Sequence, residues 1–147
     1  MKPAHPATRA LNARVSEELD FSDTRDFDDA RRGFVGTIAH AEFPANAGGL
    51  AWSMRPYGFL DGDAPDTVNP SLWRQSRLNA IHGLFEVTER IWQVRGFCLA
   101  NVTFVEGDTG VVVIDPLTFE EHARAAIELY FAHRGRRPVV AIVYTHS

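Results

Sequence analysis

The sequence predicts an α/β fold, and three features near its end carry the prediction. Val102–Glu106 and residues 111–115 are short β-branched and aromatic runs, with Gly107 and Gly110 supplying a turn between them. Residues 118–134 carry Ala123, Ala126, Ile127, Tyr130 and Phe131 at helical spacing. Residues 139–144 begin with Val139–Val143, apolar on both faces as a buried parallel strand requires. Strand, turn, strand, helix, strand is a hairpin feeding a β-α-β crossover. Ligands of open α/β sheets gather beyond the carboxyl ends of the strands. Asp115 and His146 both stand at such ends and are the first candidate site residues.

Each element has a local reason. Residues 1–7, with two prolines, read as a loose lead-in. Leu11, Val15 and Leu19 recur every four residues and predict a short helix that clasps a body elsewhere. Residues 26–32 form a second short helix, acidic at its start and basic at its end, with Gly33 as cap; dipole complementarity and i,i+4 pairing account for these charges. Residues 36–66 are irregular, punctuated by Gly48, Gly49, Gly58 and Gly62. Trp52, Met54, Tyr57, Phe59 and Leu60 make this region too apolar for disorder, so it lies over the core, with a short strand near residues 51–54. A wall of an active site is the other use of such a loop.

Asn69 followed by Pro70 starts a helix that runs to about His82 and closes at Gly83, with Arg74, Gln75 and Arg77 on its solvated side. Residues 84–87 and 91–94 alternate as half-buried strands around a turn at residues 88–90. Thr118 with Glu121 matches a capping box for the last helix, Arg134 suits the negative end of its dipole, and Gly135 and Pro138 end it.

Composition narrows the function. The 147 residues make one domain's length, and 45% hydrophobic content can fill a core. A net charge of −4 argues against a nucleic-acid surface, and Arg134, Arg136 and Arg137 read as a helix end. The single cysteine, Cys98, excludes an internal disulfide framework and a cysteine-built zinc cage; without an obvious histidine partner it reads as a small core residue. No run approaches the ~18 apolar residues of a membrane span. No apolar run follows the basic N-terminus, so no secretory signal is visible and a cytoplasmic location is expected. Of six histidines, none pair at metal-binding spacing, so His5, His40, His82, His122 and His133 read as surface or packing residues. No nucleophile elbow, phosphate loop or dinucleotide fingerprint is present.

Longer motifs point further. The runs RGFCLAN (95–101), TFVEGDTG (103–110) and IDPL (114–117) resemble the bacterial alkyl sulfatases, SDS-hydrolysing members of the metallo-β-lactamase superfamily. DFDDARRGF (26–34), NPSLWRQ (69–75) and RPVVAIVYTHS (137–147) resemble the same family, in the same order. Cys98 departs from it, since the family usually carries aspartate there.

The resemblance implies a partial αββα sandwich. Residues 1–83 would be a helical and irregular lead-in, and residues 84–147 the first, incomplete part of the metallo-β-lactamase-like domain. It implies that His146 is the first histidine of a His-x-His-x-Asp-His loop binding two zinc ions, whose other ligands would follow Ser147. Asp115 would orient that loop without binding metal, as carboxylates behind ligating imidazoles do. Arg95 and Asn101, in the first motif, are candidates for substrate contact. The whole protein would use two metals to supply hydroxide near neutral pH and hold the ester oxyanion. It would convert a long-chain alkyl sulfate to alcohol and sulfate, as a homodimer, and the chain by itself would be inactive. Another superfamily hydrolase, or a truncated product without activity, are the alternatives.

Overall fold

The computed structural model describes residues 2–146. Helices α1 (Pro6–Glu18) and α2 (Arg25–Arg31) lead into strand β1 (Phe34–Gly36) and a hairpin of β2 (Phe43–Pro44) and β3 (Leu50–Trp52). A 3-10 stretch (Arg55–Asp61) and helix α3 (Pro70–Asn79) follow. Then come β4 (Gly83–Thr88), β5 (Ile91–Arg95), β6 (Val102–Glu106), β7 (Val111–Ile114), α4 (Glu120–Arg134) and β8 (Val139–Val143). The main sheet has the order β1-β4-β5-β6-β7-β8, antiparallel as far as β7 and parallel between β7 and β8. Among the described residues this six-stranded sheet has one long covering helix, and β2 and β3 form a second, two-stranded sheet.

Alternation decides which face is covered. Trp92 and Val94 on β5, and Val102, Phe104 and Glu106 on β6, point into the core while their neighbours are half-buried. Helix α4 meets that face with Ala125, Ala126, Leu129 and Tyr130. Tyr130 stacks flat on Phe104, ring centroids 4.4 Å apart. Each large side chain so buried contributes about 1.5–3 kcal/mol. The stripe is turned from the predicted one: Ala126 and Tyr130 are buried, Ile127 and Phe131 only partly, and His122, Ala125 and Leu129 join them.

Three local expectations give way to tertiary contacts. The capping box of α4 does not form: Phe119 is the cap, without a side-chain bond. Thr118 Oγ1 lies 3.3 Å from the Cys98 sulfur, and Glu121 accepts from the Asn46 backbone N–H at 3.0 Å. Helix α3 starts as predicted, with Asn69 Oδ1 accepting from Ser71 and Leu72 N–H, but ends at Asn79. Gly83 opens β4 instead of capping the helix; at φ +139° it lets β1 approach, and a Cβ there would sit 2.5 Å from the Gly36 carbonyl oxygen. Arg74 is not solvated. Its side chain is 20% exposed and donates to both Asp26 oxygens, at 2.7 and 2.6 Å, and to the Phe21 carbonyl. Asp26 therefore ties α2 to α3, and Arg74 holds its carboxyl below the usual range.

Strand β8 also differs. It is an edge strand, exposed along its whole length, because α4 covers the sheet elsewhere and no described strand pairs with its outer side. Apolarity on both faces made it a buried central strand in expectation; what would cover it is not among the described residues. No helix among those residues is long and apolar enough to cross a membrane.

Glu106 anchors α4 to the sheet. Its buried carboxylate accepts from the Tyr130 hydroxyl at 2.9 Å and from the Arg134 guanidinium at 3.1 and 3.2 Å. Arg134 also lies 4.3 Å over the Trp92 ring, so it does more than complement the helix dipole. Arg134 draws the Glu106 carboxyl below its ordinary value, against the effect of burial and with help from Tyr130.

Two outcomes follow for the isolated chain. Glu106→Gln should lower stability by ~2 kcal/mol in urea denaturation at neutral pH, as charge-assisted bonds are lost. Glu106 binds its proton less tightly folded than unfolded, so its contribution is present above about pH 4.3. It is lost as pH falls through the depressed folded value, and the variant should lack that part of the acid slope. Second, the exposed Val140 and Ile142 should drive self-association at micromolar concentration, and Ile142→Lys should reduce it in sedimentation velocity. Equal sedimentation of both proteins as monomers would contradict this.

Candidate functional site

Parallel pairing brings the carboxyl ends of β7 and β8 to one edge, with Ile114 opposite Val143. The Asp115 N–H donates to the Val143 carbonyl at 2.9 Å, extending the pairing past the strand. Asp115 then adopts φ +52°, a left-handed conformation that aspartate tolerates better than most residues. Its carboxylate reaches the segment after β8: Oδ1 accepts from the Thr145 backbone N–H at 2.8 Å and Oδ2 from the Thr145 hydroxyl at 2.6 Å. The same hydroxyl oxygen is 2.9 Å from Nδ1 of His146, which lies 3.8 Å from Asp115 Oδ1.

Proton bookkeeping fixes the tautomer. The Thr145 hydroxyl has one proton, committed to Asp115, so its oxygen accepts from His146 Nδ1–H. The Nε2 lone pair of His146 is then free, on a side chain 73% exposed. The Thr145 hydroxyl and then its N–H hold the Asp115 carboxyl below the usual range, against burial.

These residues alone do not fit a metal centre. A catalytic zinc takes three protein ligands. Among the described residues no three histidine, cysteine, aspartate or glutamate side chains gather to hold an ion, and both oxygens of Asp115 are engaged by Thr145.

Arg95 and Asn101 lie elsewhere, in the lining of a cavity of about 610 Å3 whose walls include Trp52, Phe59, Leu60 and Trp73. Neither Asp115 nor His146 is in that lining. Arg95 donates through Nε to Gln93 at 2.7 Å and lies 4.4 Å over the Phe85 ring; burial lowers its pKa from the ordinary value. The Trp52 indole N–H donates to the Gly96 carbonyl at 2.8 Å, fastening the β2–β3 hairpin to the loop after β5. Leu60, Trp52 and Met54 pack inward as expected, whereas Tyr57 and Phe59 are exposed along the cavity. The candidate residues thus form two groups, Asp115 with His146 at the strand ends and Arg95 with Asn101 at the cavity.

One neighbour was not visible in the sequence. Cys98, buried as expected, meets the Thr118 hydroxyl, and His122 from the first turn of α4 reaches the Ala51 carbonyl of the hairpin at 3.3 Å. Both contacts join residues far apart in the chain, so no spacing announces them.

Residues 95–147 match the Metallo-beta-lactamase superfamily. The chain is 46% identical over 147 residues to an alkyl/aryl-sulfatase of Saccharomyces cerevisiae, covering 99% of this chain and 23% of that protein. It is 49% identical over 148 residues to a linear primary-alkylsulfatase and 52% identical over 151 residues to an (R)-specific secondary-alkylsulfatase, both of Pseudomonas sp; each match covers 99% of this chain and 22% of the relative. The solved structure of a stereoselective inverting sec-alkylsulfatase from Pseudomonas sp. superposes with a TM-score of 0.91 at 51% identity, over 99% of this chain and 23% of that one. The chain therefore spans less than a quarter of the length of these relatives. Over nearly its whole length it is similar to alkylsulfatases, and the stretch holding β6, β7, α4 and β8 is the part that matches the superfamily.

Proposed function

We propose that this chain is the part of a zinc-dependent alkyl sulfatase that carries the first histidine of the metal loop, and that the whole protein cleaves long-chain primary alkyl sulfates. Water and the sulfate ester give the alcohol and hydrogen sulfate. The supporting observation is the fastening of Thr145 by the Asp115 carboxylate, immediately before His146 and inside the stretch that matches the superfamily. A carboxylate in that place sets the direction of the following imidazole, which is the task of a positioning residue.

In this reading His146 offers Nε2 as one ligand and Asp115 acts through Thr145. The other ligands come from outside the described residues, so the chain by itself is inactive. Arg95 and Asn101 contribute polar contacts for the sulfate, and the cavity's aromatic and aliphatic side chains receive the alkyl tail. The homodimer implied by the family belongs to the same proposal.

Two measurements test it. The isolated chain, incubated with dodecyl sulfate and zinc, should release no more sulfate than a heat-killed control; release above the control would contradict this reading. The second uses a chimera in which this chain replaces the matching segment of the Pseudomonas linear primary-alkylsulfatase. There His146→Ala should lower zinc content together with turnover. Asp115→Asn should retain zinc while turnover falls ~10–100-fold. Full zinc and full activity in His146→Ala would show the assignment of that histidine to be wrong.

A further inference from the structure

The cavity of about 610 Å3 lies between α3, the 3-10 stretch and the loop after β5, and its volume is in the range of small-molecule sites. Most polar groups of its wall are spent on the wall itself. The Trp73 indole N–H donates to the Gly62 carbonyl at 3.0 Å, as that of Trp52 does to Gly96, so both rings leave the cavity an apolar face. The Ser76 hydroxyl donates to the Leu72 carbonyl at 2.9 Å, and Asn79, exposed on α3, accepts from Gln75 at 3.0 Å. The Phe59 ring is tilted against Trp73, centroids 5.7 Å apart. Phe59, Leu72 and Leu99 of the same lining are largely exposed, an apolar surface that a bound chain would cover.

Arg95 and Asn101, which flank the loop between β5 and β6, differ from the rest of the wall. Arg95 spends its Nε on Gln93 and lies over the Phe85 ring, and its two Nη groups make no hydrogen bond among the described residues. No carboxylate side chain is in the lining. Nearby acids are taken: Glu42 pairs with Arg55, Asp66 with Arg9 and Asp26 with Arg74. Burial alone acts on the half-buried Arg95, lowering its pKa with no acid to offset it. A cation held in this way favours an arriving anion. The Asn101 side-chain amide is also unbonded among the described residues.

We propose that this cavity is a binding site for unbranched medium-chain fatty carboxylates, with the head on Arg95 and Asn101 and the tail along Trp52, Phe59 and Trp73. A carboxylate presents two oxygens to the two Nη groups of a guanidinium as parallel charge-assisted bonds. Asn101 can donate a further one. One cation, no acid and aromatic walls suit a singly charged head on a hydrocarbon chain better than a sugar, a nucleotide or a metal ion. Binding breaks no bond and calls for neither His146 nor a metal. The site shares the cavity with the proposed sulfatase but does not rest on that reading.

The test is isothermal titration calorimetry of the intact chain with decanoate, in EDTA at about pH 7, where a carboxylic acid is ionised. Octanoate should bind about tenfold more weakly, since two methylenes fewer are buried. Decanol, which has the tail without the charge, should also be weaker by about tenfold or more. Arg95→Gln should bring decanoate down to the level of decanol and leave decanol unchanged, which a merely structural role for Arg95 would not do. Arg95→Lys, which keeps the charge without the fork, should fall between. Far-UV circular dichroism should stay constant through each titration. Decanol binding as tightly as decanoate, equal losses of both in Arg95→Gln, or no binding of either would overturn the proposal. Decyl sulfate binding tenfold tighter than decanoate would overturn the assignment to carboxylates while leaving the sulfatase reading in place.

Discussion

The parallel pairing of β7 with β8 is the constraint on which the rest depends. Two parallel neighbours cannot be joined by a tight turn; they need a crossover of a dozen or more residues. Here the crossover is α4, and its course has two effects at once. It lays Ala125, Ala126, Leu129 and Tyr130 on the inward face of β5 and β6, which closes the core. It also returns the chain so that both strands end at one edge, which sets Asp115 beside Thr145 and His146.

The two ends of α4 have different chemistry. At its carboxyl end Arg134 and Tyr130 converge on Glu106, a charge buried with full hydrogen bonding, which makes the contact tolerable as well as specific. At its amino end the helix gives up its own cap, and Thr118, Glu121 and His122 face the hairpin and the loop after β5. The polar groups there serve Cys98, Asn46 and Ala51 and not the helix itself. Helix ends that serve tertiary partners in this way are where local preference and final structure part company.

That division explains what was legible in the sequence. Strands β4 to β7 and their turns follow from alternation and glycine placement, and Asn69 with Pro70 marks the start of α3, because those signals are local. Asp115 and His146 could be picked out as neighbours because both follow strands joined by one crossover helix; the Thr145 link between them could not. The lost cap of α4, the tie of Arg74 to Asp26 and the meeting of Cys98 with Thr118 all involve residues far apart in the chain. The exposure of β8 lies beyond sequence reading for another reason: apolarity says that a strand can be buried, not what covers it.

The left-handed backbone of Asp115 sorts the substitutions available there into kinds that side-chain chemistry alone would merge. Asparagine keeps the tolerance for positive φ and an oxygen for the Thr145 N–H, and loses the charge together with the second acceptor, which the Thr145 hydroxyl uses. Glycine keeps the backbone angle and releases Thr145. Glutamate keeps the charge but strains the turn and moves the carboxyl group by a methylene. A β-branched residue strains the turn most and offers Thr145 no carboxylate in return. Conformation and charge are thus independent demands met by one residue, and aspartate is the side chain that satisfies both with the reach that Thr145 requires.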